Sequence, residues 1–266
     1  MPKQEILLRC ENLGKCFALP GGAQFWAVRD VNLDIFHGDA LGIVGESGSG
    51  KSTLGRLLLG LHEKSEGAVY YRNELLPQKY RRADFKRWST HLQMVFQDPY
   101  ATLNPRLTVG DSIAEPLRLT GSLQRAQIQR HVADALERVG LSAAMASRYP
   151  HEFSGGQRQR IGLARALIVE PKVLICDEPV SALDVSVQAQ IINLLARLRR
   201  ELQLTLIFIS HDLAVVRHLC DRVAVMQAGR IVELGDTEAL FERPQHEFTQ
   251  RLLFARQLQG APVHRL

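Results

Sequence analysis

Along the chain the apolar positions change period between two and three-to-four, and each change marks a different kind of element. From residue 5 to 44 apolar and polar positions alternate, as in Leu7-Leu8-Arg9-Cys10 and Val31-Asn32-Leu33-Asp34-Ile35, until His37-Gly38-Asp39 breaks the pattern. This predicts antiparallel strands, with Pro20-Gly21-Gly22 as a surface loop. Ala40-Leu41-Gly42-Ile43-Val44 is an uninterrupted apolar run suited to a buried strand, and Leu54, Leu57, Leu58 and Leu61 then recur at helical spacing. Ala68-Val69-Tyr70-Tyr71 and Leu92-Gln93-Met94-Val95-Phe96 read as further strands, the second closed by Gln97-Asp98-Pro99 because proline drives the residue before it out of helical geometry. From about 108 to 169 the period is helical: Ile128, Val132, Leu136 and Val139 share a face, Gly140 is a stop, and Ile161, Ala164 and Leu167 mark another helix. Val173 to Cys176 and Thr205 to Ile209 are apolar runs fit for buried strands, flanking a long apolar helix face from Val187 to Leu202. Arg222 to Met226 and Arg230 to Glu233 form a hairpin through Gln227-Ala228-Gly229, and a short helical tail follows from about 237. The rhythm predicts an α/β fold with an N-terminal antiparallel β subdomain and an inserted α-helical subdomain.

Composition narrows the class. The 266 residues suffice for one large domain or two closely packed ones, and 45% apolar with 23% charged residues is the balance of a soluble globular protein. A net charge of +5 favours an anionic ligand or an acidic membrane surface, but it is too dispersed to argue for nucleic acid. The basic stretch from Gln78 to His91 lacks aromatics at a spacing suited to stacking bases and reads as a solvated helix face. No run approaches the roughly 18 apolar residues of a membrane helix, and MPKQEILLRC has no signal-peptide pattern, so the expectation is a cytosolic chain whose membrane work needs a partner. Cys10, Cys16, Cys176 and Cys220 lack C-x-x-C spacing and read as buried or incidental thiols.

The chemistry concentrates at strand ends. Between the apolar strand and the leucine-spaced helix lies Gly45-Glu46-Ser47-Gly48-Ser49-Gly50-Lys51-Ser52-Thr53, which matches G-x-x-x-x-G-K-[ST]. Glycines let the backbone N–H groups turn toward phosphate oxygens, Lys51 brings positive charge to the β and γ phosphates, and the Ser52 hydroxyl can ligate Mg²⁺. A nucleoside triphosphate is the implied ligand. Ser154-Gly155-Gly156-Gln157, just ahead of a helix, offers N–H groups and a positive dipole end as a second potential phosphate site. Asp177 and Glu178 close an apolar strand at the end where ligands gather in open α/β sheets, so one acid could serve Mg²⁺ and the other an attacking water; a polar turn is the plainer alternative. His211, after the Thr205 to Ile209 strand, is a candidate for touching the γ-phosphate. Phe17 is equally readable as a base-stacking platform or as core.

In this order the segments resemble the ATP-binding cassette ATPases of ABC transporters over nearly all of residues 5 to 256. The likeness rests on the Walker A loop at 45 to 52, Gln97 in VFQDP, FSGGQ at 153 to 157, the Walker B strand VLICDE, SALD at 181 to 184, and His211. VFQDPYATLNPR, RYPHEFSGGQRQRIGLARAL and DEPVSALDVSVQAQ are similar to the peptide and nickel importer branch. Phe153 stands where the family usually has leucine, and the chain stops at Leu266 without the cysteine-containing tail of many peptide-importer subunits.

The resemblance implies a core of 5–97 and 170–236, a helical signature subdomain at 98–169 and a tail at 237–266. It further implies two cassettes, identical or different, meeting head to tail. The loop residues Gly45 to Thr53 bind phosphates and Mg²⁺, while Gln97 and Asp177 complete the metal and water shell. Glu178 acts as general base and His211 steadies the γ-phosphate. Ser154, Gly155, Gly156, Gln157 and Asp184 serve the composite site, and Phe17 is the candidate for the base. ATP and Mg²⁺ are the implied cofactors. The implied partners are integral-membrane permeases and, indirectly, a substrate-binding protein, with no nucleic acid, at the cytoplasmic face of the inner membrane. DNA-repair or chromosome-organising cassettes would carry a long coiled coil within the short interval from Gly45 to Ser154, and translation-associated ones carry two cassettes; neither fits this chain.

Overall fold

The computed structural model describes residues 5–98, 102–121, 123–181 and 183–258. Two compact units form, one from the chain up to Arg81 together with the chain from Thr205 on, the other from Arg82 to Leu204. The first unit holds β1 (Ile6–Ala18), β2 (Gln24–Phe36), β3 (Ala40–Val44), β4 (Glu66–Tyr71) and β5 (Glu74–Leu75). The second holds β6 (Leu92–Val95) and β7 (Val173–Asp177), and the chain then returns to the first for β8 (Thr205–Ile209), β9 (Arg222–Gln227) and β10 (Arg230–Asp236).

In the first unit β2, β1, β4 and β5 make an antiparallel sheet in that order, the expected β subdomain. The β1–β2 ladder shifts register around Cys10 to Lys15, and Asn12 adopts a positive φ of 47° there. Strict alternation in the sequence is therefore broken by bulges, each adding an unpaired residue and local twist. Beside this sheet run β8, β3 and β9, all parallel, with β10 antiparallel on β9. Every residue of β3 and β8 is buried, which explains their unbroken apolar runs. The hairpin turn after β9 has Ala228 and Gly229 at φ 46° and 81°, the left-handed pair that fits the twist of two-residue hairpins.

One helical boundary differs from the leucine spacing. The helix after β3 is Lys51–Leu58; Gly60 N–H bonds to Leu57 O and Leu61 N–H to Arg56 O, a closure that turns the chain out of the helix. Leu61 is accordingly an exposed turn residue and not the fourth member of the apolar face. The tail also departs from a single helix. Thr237–Glu242 and Glu247–Leu258 are separate, and between them Glu233 accepts from the N–H groups of Gln245 (2.8 Å) and His246 (3.0 Å).

In the second unit β6 and β7 pair in parallel. The basic stretch carries the helix Arg82–Trp88, whose Trp88 is its buried residue while the other side chains lie outward, as a solvated face requires. The helices Val109–Thr120, Arg125–Arg138 and Gly155–Leu167 pack on one another, with Val132 and Leu136 inward and Gly140 turning the chain at φ 76°. Among the described residues no helix is long and apolar enough to cross a membrane.

Candidate functional site

The phosphate loop sits between β3 and the Lys51–Leu58 helix, inside the first unit. Gly45 (φ 149°) and Gly50 (φ 102°) occupy backbone conformations that side chains resist. Space is equally restrictive: a Cβ on Gly45 would lie 2.2 Å from Met226 O, and one on Gly50 2.1 Å from Ala27 O. The loop is thus pressed against β2 and β9, and Ser49 O also accepts from Gly229 N–H at 3.0 Å. Glu46, Ser47 and Gly48 stand exposed at the tip, Ser49 is buried, and Ser52 and Thr53 are half-buried in the first helical turn. Lys51 is 5% exposed, and its Nζ donates to Gly45 O (2.9 Å) and Glu46 O (2.8 Å). A buried ammonium held by loop carbonyls at a helix N-terminus makes a concentrated positive site, which fits a polyphosphate.

His211 belongs to the same unit. It follows β8, whose Ile209 pairs with Ile43 of β3, so the loop and the histidine leave neighbouring parallel strands at the same end. The side chain is exposed. Its neighbours fix the turn: Asp212 N–H donates to Ser210 Oγ (2.9 Å), and Asp212 Oδ1 accepts from Ala214 (2.9 Å) and Val215 (3.2 Å), capping the Leu213–Leu219 helix. An aspartate before an apolar helical run is the ordinary sequence signal of such a cap.

Phe17 lies near the end of β1, half-buried and outside the core. His62 meets it edge to face at 5.7 Å, and Lys15 Nζ stands 5.1 Å from the ring centroid. Burial, reinforced by Arg56 and Lys15, holds the His62 imidazole below its ordinary range.

The second unit carries the remaining groups. Asp177 ends β7 with 2% exposure, and Glu178 follows it at φ 46°. Gln97 Nε2 donates to Glu178 Oε2 at 3.1 Å, so the structure brings these two together. Ser154 caps the Gly155–Leu167 helix in a reciprocal box: its Oγ accepts from Gln157 N–H (3.3 Å) while Gln157 Oε1 accepts from Ser154 N–H (3.0 Å). Asp184 caps the Val185–Leu202 helix through Val187 N–H (3.3 Å). A Cβ on Gly156 would lie 2.4 Å from Val187 Cγ1, so the glycine is what lets these two helix starts meet. Gln188 Nε2 holds the intervening loop by donating to Val180 O (2.9 Å) and Leu183 O (3.0 Å); Ser181 and Gln188 both lie within DEPVSALDVSVQAQ, but that motif gave neither a role of its own.

Among the described residues no three His, Cys, Asp or Glu side chains cluster as a protein-only metal cage. Mg²⁺ in nucleotide sites takes one or two protein oxygens and completes its shell with phosphate and water, and the Ser52 hydroxyl and the buried Asp177 carboxylate are donors of that kind. The thiols stand apart from this chemistry. All four are free, and burial pushes Cys10 up to about 12 and Cys176 also upward, which leaves both unreactive.

The ABC transporter family profile matches residues 28–181, more than half of the chain. The chain is 47% identical over 264 residues to the oligopeptide transport ATP-binding protein OppF of Haemophilus influenzae, covering 95% of this chain and 78% of that protein. It is 49% identical over 257 residues to the glutathione import ATP-binding protein GsiA of Pectobacterium atrosepticum, covering 94% of this chain and 41% of that longer protein. Among solved structures it is similar to the dimeric ATP-binding cassette MJ0796 bound to ADP and Pi, with a TM-score of 0.79 at 29% identity, over 87% of this chain and 99% of that one. The chain belongs to the ABC transporter family and is one of its ATP-hydrolysing subunits.

Proposed function

We propose that this subunit drives peptide uptake, working at the inner face of the membrane as half of a cassette pair bound to permease subunits. The observation that supports this reading most is that one chain carries both a phosphate loop packed around a buried Lys51 and a complete SGGQ turn closed by a reciprocal capping box. A subunit with both can cradle one nucleotide and close over another held by a second cassette. The peptide relatives and the dimeric cassette neighbour agree with that reading.

Each residue then has a role. Backbone N–H groups from Gly45 to Gly50 and the Lys51 ammonium bind the phosphates, helped by Ser47, Ser49 and Thr53 hydroxyls and by the exposed Glu46 segment. Ser52, Asp177 and Gln97 would hold Mg²⁺, which supplies charge neutralisation on the phosphate oxygens. Glu178 accepts the proton of the attacking water, and His211 donates a hydrogen bond to the transferred phosphoryl oxygens. Ser154, Gly155, Gly156, Gln157 and Asp184 face the nucleotide of the second cassette. In the helical unit a groove of about 560 Å³ lined by Thr108, Arg118, Arg125, Ile128, Val132 and Ala146 is the surface we assign to a permease helix. Arg118 is neutralised there by Asp111 at 2.6 Å, and Arg125 adds a further positive charge.

Vesicles holding the subunit with its genomic neighbour permeases and second cassette test cargo directly. Labelled short peptides should accumulate only with MgATP and binding protein, and nickel should not. Uptake of nickel alone would overturn the peptide assignment.

The base platform has its own test. Phe17→Ala should raise KM for ATP about five- to 150-fold, the range set by stacking worth about 1–3 kcal/mol, with kcat retained. Steady-state phosphate release against ATP concentration measures both, and an unchanged KM returns Phe17 to a structural role.

A further inference from the structure

We infer that Ser181 is a positioning residue for hydrolysis: its hydroxyl couples Gln97 to the backbone and carboxylate of Glu178 and sets the aim of the base. The inference rests on the proposed role of Glu178. Its geometry is local to one unit. Ser181 Oγ donates to Glu178 O at 3.1 Å and accepts from Gln97 Nε2 at 3.4 Å, while the same Gln97 nitrogen donates to Glu178 Oε2 at 3.1 Å. One hydroxyl therefore spends its single proton on the base's carbonyl and its lone pair on the amide that holds the base's carboxylate.

The backbone shows why such a clamp is needed. Glu178 has φ 46°, a left-handed conformation that a residue with a Cβ resists, and it persists only where neighbours enforce it. Ser181 enforces it twice, because its N–H also donates to Glu178 O at 3.3 Å. Removing the hydroxyl leaves the N–H bond and releases the other two contacts. The turn survives, and the Gln97 amide that holds the carboxylate loses its own anchor on the Ser181 hydroxyl. General-base catalysis depends steeply on placement, so this shows in turnover before it shows in binding.

The test compares Ser181→Ala with Ser181→Thr, which keeps a hydroxyl at the same Cβ. The alanine variant should lose about tenfold or more in kcat, with KM and the MgATP dissociation constant within about twofold of the parent. Threonine should restore most of the rate. Measured with Glu178→Gln in the same chain, Ser181→Ala should add no further loss, because both changes act through one group. A parental kcat in Ser181→Ala overturns the inference. So does a raised dissociation constant with unchanged kcat, or a rate loss matched by a lowered melting temperature that threonine does not rescue. If Glu178→Gln alone hydrolyses ATP at the parental rate, the base assignment has failed instead, and the two failures are told apart.

Discussion

Replacing Glu178 with glutamine is expected to cut ATP turnover by about a hundredfold or more, the range general bases contribute, while MgATP still binds. The substitution keeps size and hydrogen-bonding shape. Glutamine Oε1 can still accept from the Gln97 amide that now donates to Glu178 Oε2 at 3.1 Å, so the clamp survives. What disappears is the ability to take a proton from water. Binding energy collected by the phosphate loop of one cassette and the SGGQ turn of another is then never released by hydrolysis, and the variant should run as a dimer on size exclusion in MgATP and as the parent species in ADP. Phosphate release from a purified sample, with dissociation constants by nucleotide titration, checks both halves. Hydrolysis at the parental rate removes Glu178 from the base role.

Much of this site was legible because its chemistry sits on short, locally encoded pieces. The phosphate loop needs glycine at Gly45 and Gly50 for both steric and conformational reasons. The SGGQ turn is a capping box, and Ser154 followed three residues later by Gln157 carries that signal in four letters. Buried parallel strands such as β3 and β8 are apolar at every position and stand out for that reason. Less legible were features that depend on neighbours distant in sequence. Nothing near Ser181 announces a bond to Gln97, and nothing around Phe17 announces His62 at its edge. Leu61 kept the helical period and still left the helix, because closure at Gly60 outweighs an apolar position. Periodicity reports which face a residue would take if the element continued, and it cannot report that a backbone hydrogen bond has ended the element.

The loop itself gives the sharpest stability test. Gly50→Ala should abolish measurable MgATP binding and lower the melting temperature well beyond what a surface glycine would cost. Two penalties combine. A φ of 102° is outside what alanine accepts without strain, and the new Cβ would stand 2.1 Å from Ala27 O, a main-chain atom of β2 that cannot rotate away. Either β2 shifts, or the loop does. Since Gly50 is the N-cap of the Lys51–Leu58 helix, a shifted loop carries Lys51 and Ser52 off their positions together. Gly38→Ala is the matched control: its φ of 74° imposes strain of about 1 kcal/mol, but a Cβ there meets nothing within 4 Å, and it lies outside the loop. Thermal melts with and without MgATP separate the cases. Gly38→Ala should melt a few degrees early and keep the full nucleotide-induced rise, whereas Gly50→Ala should melt earlier still and show no rise. An equal loss in both, with the rise intact in Gly50→Ala, would mean that strain alone matters and that the contact with β2 does not hold the loop in place.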